Sequence, residues 1–230
     1  MKISLKTLFF LSVLCFPFIG VHAQKNEAML YINPGGSTIY GSNCGISGLY
    51  TRHITDRIDV TGGIYFTSKR KNFFSSLNVE GSYRLPLNKT MNLYAKGKIN
   101  WTDYSEFHLN EFVYRLVAKF ESNYVDLELG NCVVAYTSYG EHQTEGYNPA
   151  FGLNLRFRKL TANWYAGLFV RNYDDFYFEN FNVIWGPNGL YKINKKLAVF
   201  GEFDIQPAGN LSQLATKYAY YFKIGATYKW

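Results

Sequence analysis

Apolar and polar positions alternate with period two along most of the chain. The clearest case is the last thirteen residues. Tyr218, Tyr220, Phe222, Ile224, Ala226, Tyr228 and Trp230 fall on one face, and Ala219, Tyr221, Lys223, Gly225, Thr227 and Lys229 on the other. Side chains of a strand point alternately to its two faces, so this segment is a strand with one aromatic, apolar face and one small, polar or basic face. No helical period persists anywhere. Strand-length runs recur instead, separated by Gly, Pro, Asn and Ser turn signals. They predict twelve strands, at about 27–33, 38–54, 57–67, 73–85, 91–103, 107–120, 124–137, 149–159, 162–172, 177–191, 196–206 and 216–230. Pro34-Gly35-Gly36 and neighbouring glycines blur the first two, which leaves ten strands as the alternative.

The connections alternate in length. Thr55-Asp56, Pro86 to Lys89, Ser122-Asn123, Leu160-Thr161 and Ile193 to Lys195 are short. Ser68 to Asn72, Ser138 to Asn148 and Gln206 to Ala215 are longer. A closed antiparallel membrane barrel has this asymmetry between its periplasmic and extracellular ends. Hairpin arithmetic gives registers. A two-residue turn at Ser122-Asn123 pairs Glu121 with Tyr124, Lys119 with Asp126 and Val117 with Glu128. A three-residue turn at Leu87 to Lys89 sets Tyr83 opposite Leu93, Val79 opposite Gly97 and Glu80 opposite Lys96. Both registers gather charge on one face and apolar residues on the other. A one-residue slip would turn every charge toward lipid, at about 2–4 kcal/mol for a midplane Lys or Arg.

Composition sharpens the picture. The chain has 20 Tyr and 19 Phe, and aromatic residues make up 19% of it, an excess suited to interfacial girdles. At the N-terminus Lys2 and Lys6 precede an apolar run from Leu8 to Val21, followed by Val21-His22-Ala23. This reads as a signal peptide over 1–23, cleaved before Gln24, with the barrel over 24–230. The run is too short for a spanning helix, and Leu14 is too large to precede an acylated Cys15 in a lipoprotein motif. Loss of Lys2 and Lys6 lowers the net charge from +7 to +5. The basic residues are dispersed along strands, and secretion removes the chain from the cytoplasm, so nucleic acid is not an expected partner. Cys44 and Cys132 remain after cleavage. They lie on well-separated strands, so free thiols are expected over a disulfide. No zinc spacing occurs, and no metal or cofactor is expected.

The inward face carries the candidate chemistry. Parity places Arg84, Lys96, Lys98, Arg115, Lys119, Arg156, Arg158, Arg171, Lys223 and Lys229 in the lumen, with Asp59, Glu80, Asp126, Glu128, Glu202 and Asp204. Lys96, Lys98, Arg115, Lys119, Arg156, Arg158, Arg171 and Lys223 form a basic track, and Glu80, Asp126, Glu128, Glu202 and Asp204 are its acidic partners. The count leaves the lumen near +4. Rings and ladders of charge set ion preference in pores, so a basic track favours small anionic solutes such as acidic sugars. The alternative is a non-conducting structural or accessory barrel whose charges neutralise one another in a packed lumen. A hydrolase needs a polar catalytic set. Ser105, His108 and Asn110 lie near the extracellular rim, but Ser105 and His108 have opposite parity. His142 with Glu141 or Glu145 sits in the Ser138–Asn148 segment and reads as a solvated loop, and no catalytic residue is assigned. Inward Tyr65, Tyr94 and Tyr221 fill the lumen.

The signal peptide, the strand pattern and the terminal strand together resemble small outer-membrane β-barrels, particularly the uncharacterised ones of Bacteroidota. In such barrels the last strand usually ends in Phe; here it ends in Trp230. The resemblance implies an outer-membrane location, contact with membrane lipids, and recognition by the barrel-assembly machinery through Phe222, Ile224, Tyr228 and Trp230. In architecture the chain is also similar to the narrow twelve-stranded porins that pass acidic oligosaccharides in enteric bacteria.

Overall fold

The computed structural model describes residues 26–37, 41–68, 74–104, 108–172, 183–207 and 218–230. The segment read as a signal peptide, Ser105, and most of the expected loops Ser68–Asn72 and Gln206–Ala215 lie outside the described residues. The strands are β1 (Asn26–Ser37), β2 (Gly41–His53), β3 (Ile58–Thr67), β4 (Phe74–Asn88), β5 (Met91–Tyr104), β6 (Leu109–Glu121), β7 (Val125–Ser138), β8 (Glu141–Arg156), β9 (Trp164–Asn172), β10 (Val183–Lys192), β11 (Leu197–Pro207) and β12 (Tyr218–Lys229). Each pairs antiparallel with its sequence neighbours, and β1 pairs with β12 to close a barrel. Twelve strands therefore stand, and the ten-strand alternative does not.

Closure leaves no sheet edge, which a membrane span requires, since lipid cannot satisfy free backbone groups. The seam is held to its end. The Asn26 amide donates to the Trp230 carbonyl at 2.9 Å, and the Trp230 amide donates to the Asn26 carbonyl at 3.0 Å. Phe222, Ile224, Tyr228 and Trp230 all point outward and are exposed. Tyr228 stacks on Trp230 with centroids 5.8 Å apart, and Tyr50 of β2 lies 6.1 Å from the same indole. The Tyr50 hydroxyl donates to Asn26 Oδ1 at 2.9 Å. Leu30, Leu116 and Leu129 continue the outward apolar belt.

The parity of the hairpins is as the pattern predicts, and their registers differ by two residues. In β6–β7, Glu121 pairs with Asp126 and Lys119 with Glu128, because the turn spans four residues rather than two. Ser122 builds that turn: its amide donates to the Val125 carbonyl at 2.8 Å, and its Oγ accepts from the Val125 amide at 3.0 Å. In β4–β5, Glu80 pairs with Lys98 and Tyr83 with Ala95, with an irregularity between Pro86 and Asn88. An even shift keeps every side chain on its predicted face.

A second correction concerns Ser138 to Asn148, expected as the longest loop. It is continuous hairpin: Ser138 pairs with Glu141, and the ladder runs on through Thr137–His142 to Cys132–Asn148. The turn is Tyr139-Gly140, both at positive φ (50° and 87°), the backbone of a type I′ hairpin turn. Val133 pairs with Tyr147 and Val134 with Glu145, so Gly146 is the extra residue of a β-bulge. The polar sequence reads as loop because this part of the hairpin carries few apolar residues on either face. Neither Cys44, which is exposed, nor Cys132, which is buried with its Sγ donating to the Asn148 carbonyl at 3.5 Å, forms a disulfide.

Inside, the two halves of the barrel differ. Tyr104, Leu109, Val113, Val117, Cys132, Val134, Tyr136 and Ala150 form one buried apolar cluster on β5 to β8. It occupies mainly the end away from the short turns, which is the extracellular half. The fully buried carboxyl side chain of Glu111 sits on the same wall. Charged side chains concentrate nearer the short turns and around the middle.

Candidate functional site

The lumen holds linked ion pairs rather than a bare basic track. Lys96 Nζ lies 3.0 Å from Glu80 and 3.4 Å from Glu128. Arg115 approaches Glu128 at 3.9 Å, and its Nη2 donates to the Phe151 carbonyl at 3.2 Å. Lys119 sits 3.5 Å from Glu121 and 3.7 Å from Asp126. Asp126 also pairs with Arg156, whose Nη1 donates to the Ser122 carbonyl at 3.1 Å and whose guanidinium lies 5.4 Å from the Tyr165 ring centre. Across the barrel Glu202 receives Arg171 and Lys223, the latter at 2.5 Å, and Lys223 also lies 3.7 Å from Asp204. Lys98 faces inward between Glu80 and Arg115 in register.

The pairs Glu80–Lys96 and Lys119–Asp126, expected directly opposite each other, are made diagonally. Diagonal neighbours on one face lie about 7–8 Å apart, within reach of a Lys side chain. At the rim, Lys229 lies 2.9 Å from Glu27, and Arg84 Nη2 donates to the Asp56 backbone carbonyl at 2.6 Å.

Arg158 is misplaced by parity. β8 ends at Arg156, the chain bends at Phe157, and the exposed Arg158 guanidinium lies 4.5 Å from the Trp164 ring centre, on the outer surface. The expected excess near +4 shrinks for this reason and a second one: Glu27, Glu111 and Glu121 also belong to the inward parity sets. Glu121, expected opposite Tyr124 and not counted among the lumen acids, accepts from the Tyr94 hydroxyl at 3.0 Å. The sequence reading also missed His53, whose Nδ1 is 2.6 Å from Asp59 Oδ1 across β2–β3. Their opposition in the register was the available signal.

On the other wall the tyrosines fit against glycine. A Cβ on Gly45 would lie 2.2 Å from the Tyr65 hydroxyl, so only glycine admits that ring. The Tyr221 hydroxyl accepts from Asn43 Nδ2 at 3.4 Å. Among the described residues, the buried side-chain atoms without a hydrogen-bond partner are Asn33 Oδ1, Asn43 Oδ1, Asp126 Oδ1, Arg156 Nε, Asn188 Oδ1, Asp204 Oδ1 and Gln206 Nε2. All seven residues face the lumen by strand parity, and five of them lie on β10, β11, β1 and β2, which flank β12 on its two sides.

Among the described residues near the extracellular rim no hydrolytic set assembles; Ser105 lies outside them. His108 occupies a turn at φ 51° with its ring 5.3 Å from that of Tyr139, and Asn110 Oδ1 accepts from Trp101 Nε1 at 3.0 Å. His142 Nδ1 bonds Thr137 Oγ1 at 2.8 Å on an exposed surface.

No protein-family model and no curated protein matches the chain. Solved structures do. The KdgM porin aligns with a TM-score of 0.55 at 11% identity, over 88% of this chain and 98% of its own. A second KdgM structure, in complex with disordered oligogalacturonate, aligns at 0.53 and 11%, over 87% and 98%. The NanC porin aligns at 0.54 and 9%, over 86% and 98%. At such identities the likeness is one of fold. Together with the closed twelve-stranded meander, it gives this chain the fold of the bacterial outer-membrane porins.

Proposed function

We propose that the barrel is a narrow channel for small anionic solutes, acidic sugars among them. One observation carries the reading: among the described residues, the buried side-chain polar atoms without protein partners all lie on lumen-facing side chains. A buried donor or acceptor left unmade costs about 1–3 kcal/mol, so an interior with seven of them is an interior for water and solute. The ion pairs supply the route. Lys96, Lys119 and Lys223 each hold two carboxylates, and a solute carboxylate can exchange for one of them without uncovering the cation. With charges near balance, the resulting anion preference is small. The fold shared with the KdgM porin, solved with oligogalacturonate, agrees with this class of solute.

The second reading, a non-conducting barrel with a charge-paired lumen, draws on the buried apolar cluster in the extracellular half. Planar bilayers separate the two. Folded, heat-modifiable protein should give small conductance steps, with a reversal potential in a salt gradient displaced toward the anion side. Silence from folded protein selects the non-conducting reading. A cation-side reversal potential defeats anion passage.

A further inference from the structure

The outer wall carries a groove that the channel reading does not use. A cavity of about 470 Å³ is lined by Trp164, Gly189, Tyr191, Val199 and Gly201 of β9 to β11, together with the residues between them. All five have outward parity, and Trp164, Tyr191 and Val199 stand exposed on the outer wall, so it opens toward lipid; Tyr165, Leu190 and Phe200, which alternate with them at inward parity, also touch it, while Lys192 and Glu202 do not. Its depth comes from the pairing of Gly189 with Gly201, which removes two side chains from the belt at one level. Trp164 and Tyr191 pair one level nearer the short turns and stand exposed beside it. Cations lie at the same short-turn end of the barrel. Arg158 lies over the Trp164 ring, and Lys195 and Lys196 occupy the turn of the same β10–β11 hairpin. Among the described residues, none of these three has a carboxylate at salt-bridge distance.

We propose that this groove seats an acyl chain of an anionic phospholipid from the periplasmic leaflet, with its phosphate held by Arg158, Lys195 and Lys196. The occupant follows from charge and depth. The groove is apolar and lies within the lipid belt, cations lie at the short-turn end of the barrel, and that end faces the periplasm. Interfacial cations attract anionic headgroups, while Trp and Tyr settle at headgroup level. The proposal does not depend on whether the lumen conducts.

The test is native mass spectrometry of the intact barrel with phosphatidylglycerol or phosphatidylcholine of matched chains. Wild type should retain one phosphatidylglycerol under activation that strips phosphatidylcholine. Arg158→Gln/Lys195→Gln/Lys196→Gln should lower that retention by about fivefold per cation. Gly201→Leu fills the groove, and its Cβ meets no atom nearer than 4.0 Å, so the barrel should fold and lose the lipid. Heat modifiability of each variant verifies folding. Equal retention of the two lipids, or an unaffected triple variant, overturns the proposal. Undiminished binding in folded Gly201→Leu shows headgroup adsorption without an acyl seat and also overturns it. Displacement of phosphatidylglycerol by millimolar inorganic phosphate overturns it in favour of a simple anion site.

Discussion

Arg156 is the lumen cation with the most to lose from substitution. Its side chain is 3% exposed, it pairs with Asp126, and it donates to the Ser122 carbonyl. Removing one member of a buried pair leaves the other charge uncompensated, at about 3–5 kcal/mol. Arg156→Ala should lower the guanidinium unfolding midpoint of the reconstituted barrel accordingly, and Arg156→Met/Asp126→Asn should recover most of the loss. A wild-type midpoint in the single variant would show that the pair contributes nothing. Parity made the inward direction of Arg156 legible. It misled two residues later, because parity has meaning only while the strand lasts, and β8 ends there. The partner of Arg156 was not legible either: Asp126 stands diagonal to it through the β7–β8 register, which the Tyr139-Gly140 turn and the bulge at Gly146 decide.

Hairpins show where single-sequence arithmetic stops. Strand number and faces follow from period two, which any strand buried on one side and wet on the other must display. Register depends on turn length, and turn length here depends on side-chain bonds such as Ser122 Oγ to the Val125 backbone. The β4–β5 register is directly testable. In a Cys44→Ser/Cys132→Ser background, cysteines at Glu80 and Lys98 should crosslink with a short bifunctional reagent faster than cysteines at Glu80 and Lys96. The reverse order would restore the three-residue turn. The Tyr139-Gly140 turn makes a second prediction. A side chain in the left-handed region costs about 1–2 kcal/mol, so Gly140→Val should increase proteinase K cleavage at this tip on whole cells. Unchanged cleavage would mean that another turn serves equally well. The apolar cluster behind this hairpin did leave a signal: around Phe112–Tyr114 and Cys132–Ala135 both faces turn apolar, as happens where a strand is covered on both sides.

At the scale of the whole molecule, closure and conduction make separate demands. Closure depends on β1–β12, whose last bonds join Asn26 and Trp230. Removing Tyr228, Lys229 and Trp230 should prevent accumulation of heat-modifiable barrel in the outer membrane; normal accumulation would place the assembly determinants elsewhere. Conduction depends on the balance of the lumen. Glu202 pairs with Arg171 and shares Lys223 with Asp204. Glu202→Gln should therefore move the reversal potential further toward the anion side. No movement in a conducting variant would put that cluster off the path. The architecture was legible from the sequence because it repeats in every strand. The charge balance was not, since it turns on Glu27, Glu111 and Glu121 near strand ends. The diagonal pairing of Lys96 with Glu80 has a consequence for how such a chain can change length over time. Insertions or deletions at a periplasmic turn that shift register by two residues leave each lysine a carboxylate within reach. Shifts by one carry it to the opposite face. Descendants of this chain should therefore vary their turns in even steps, with lumen chemistry inherited across changes that would look drastic in an alignment.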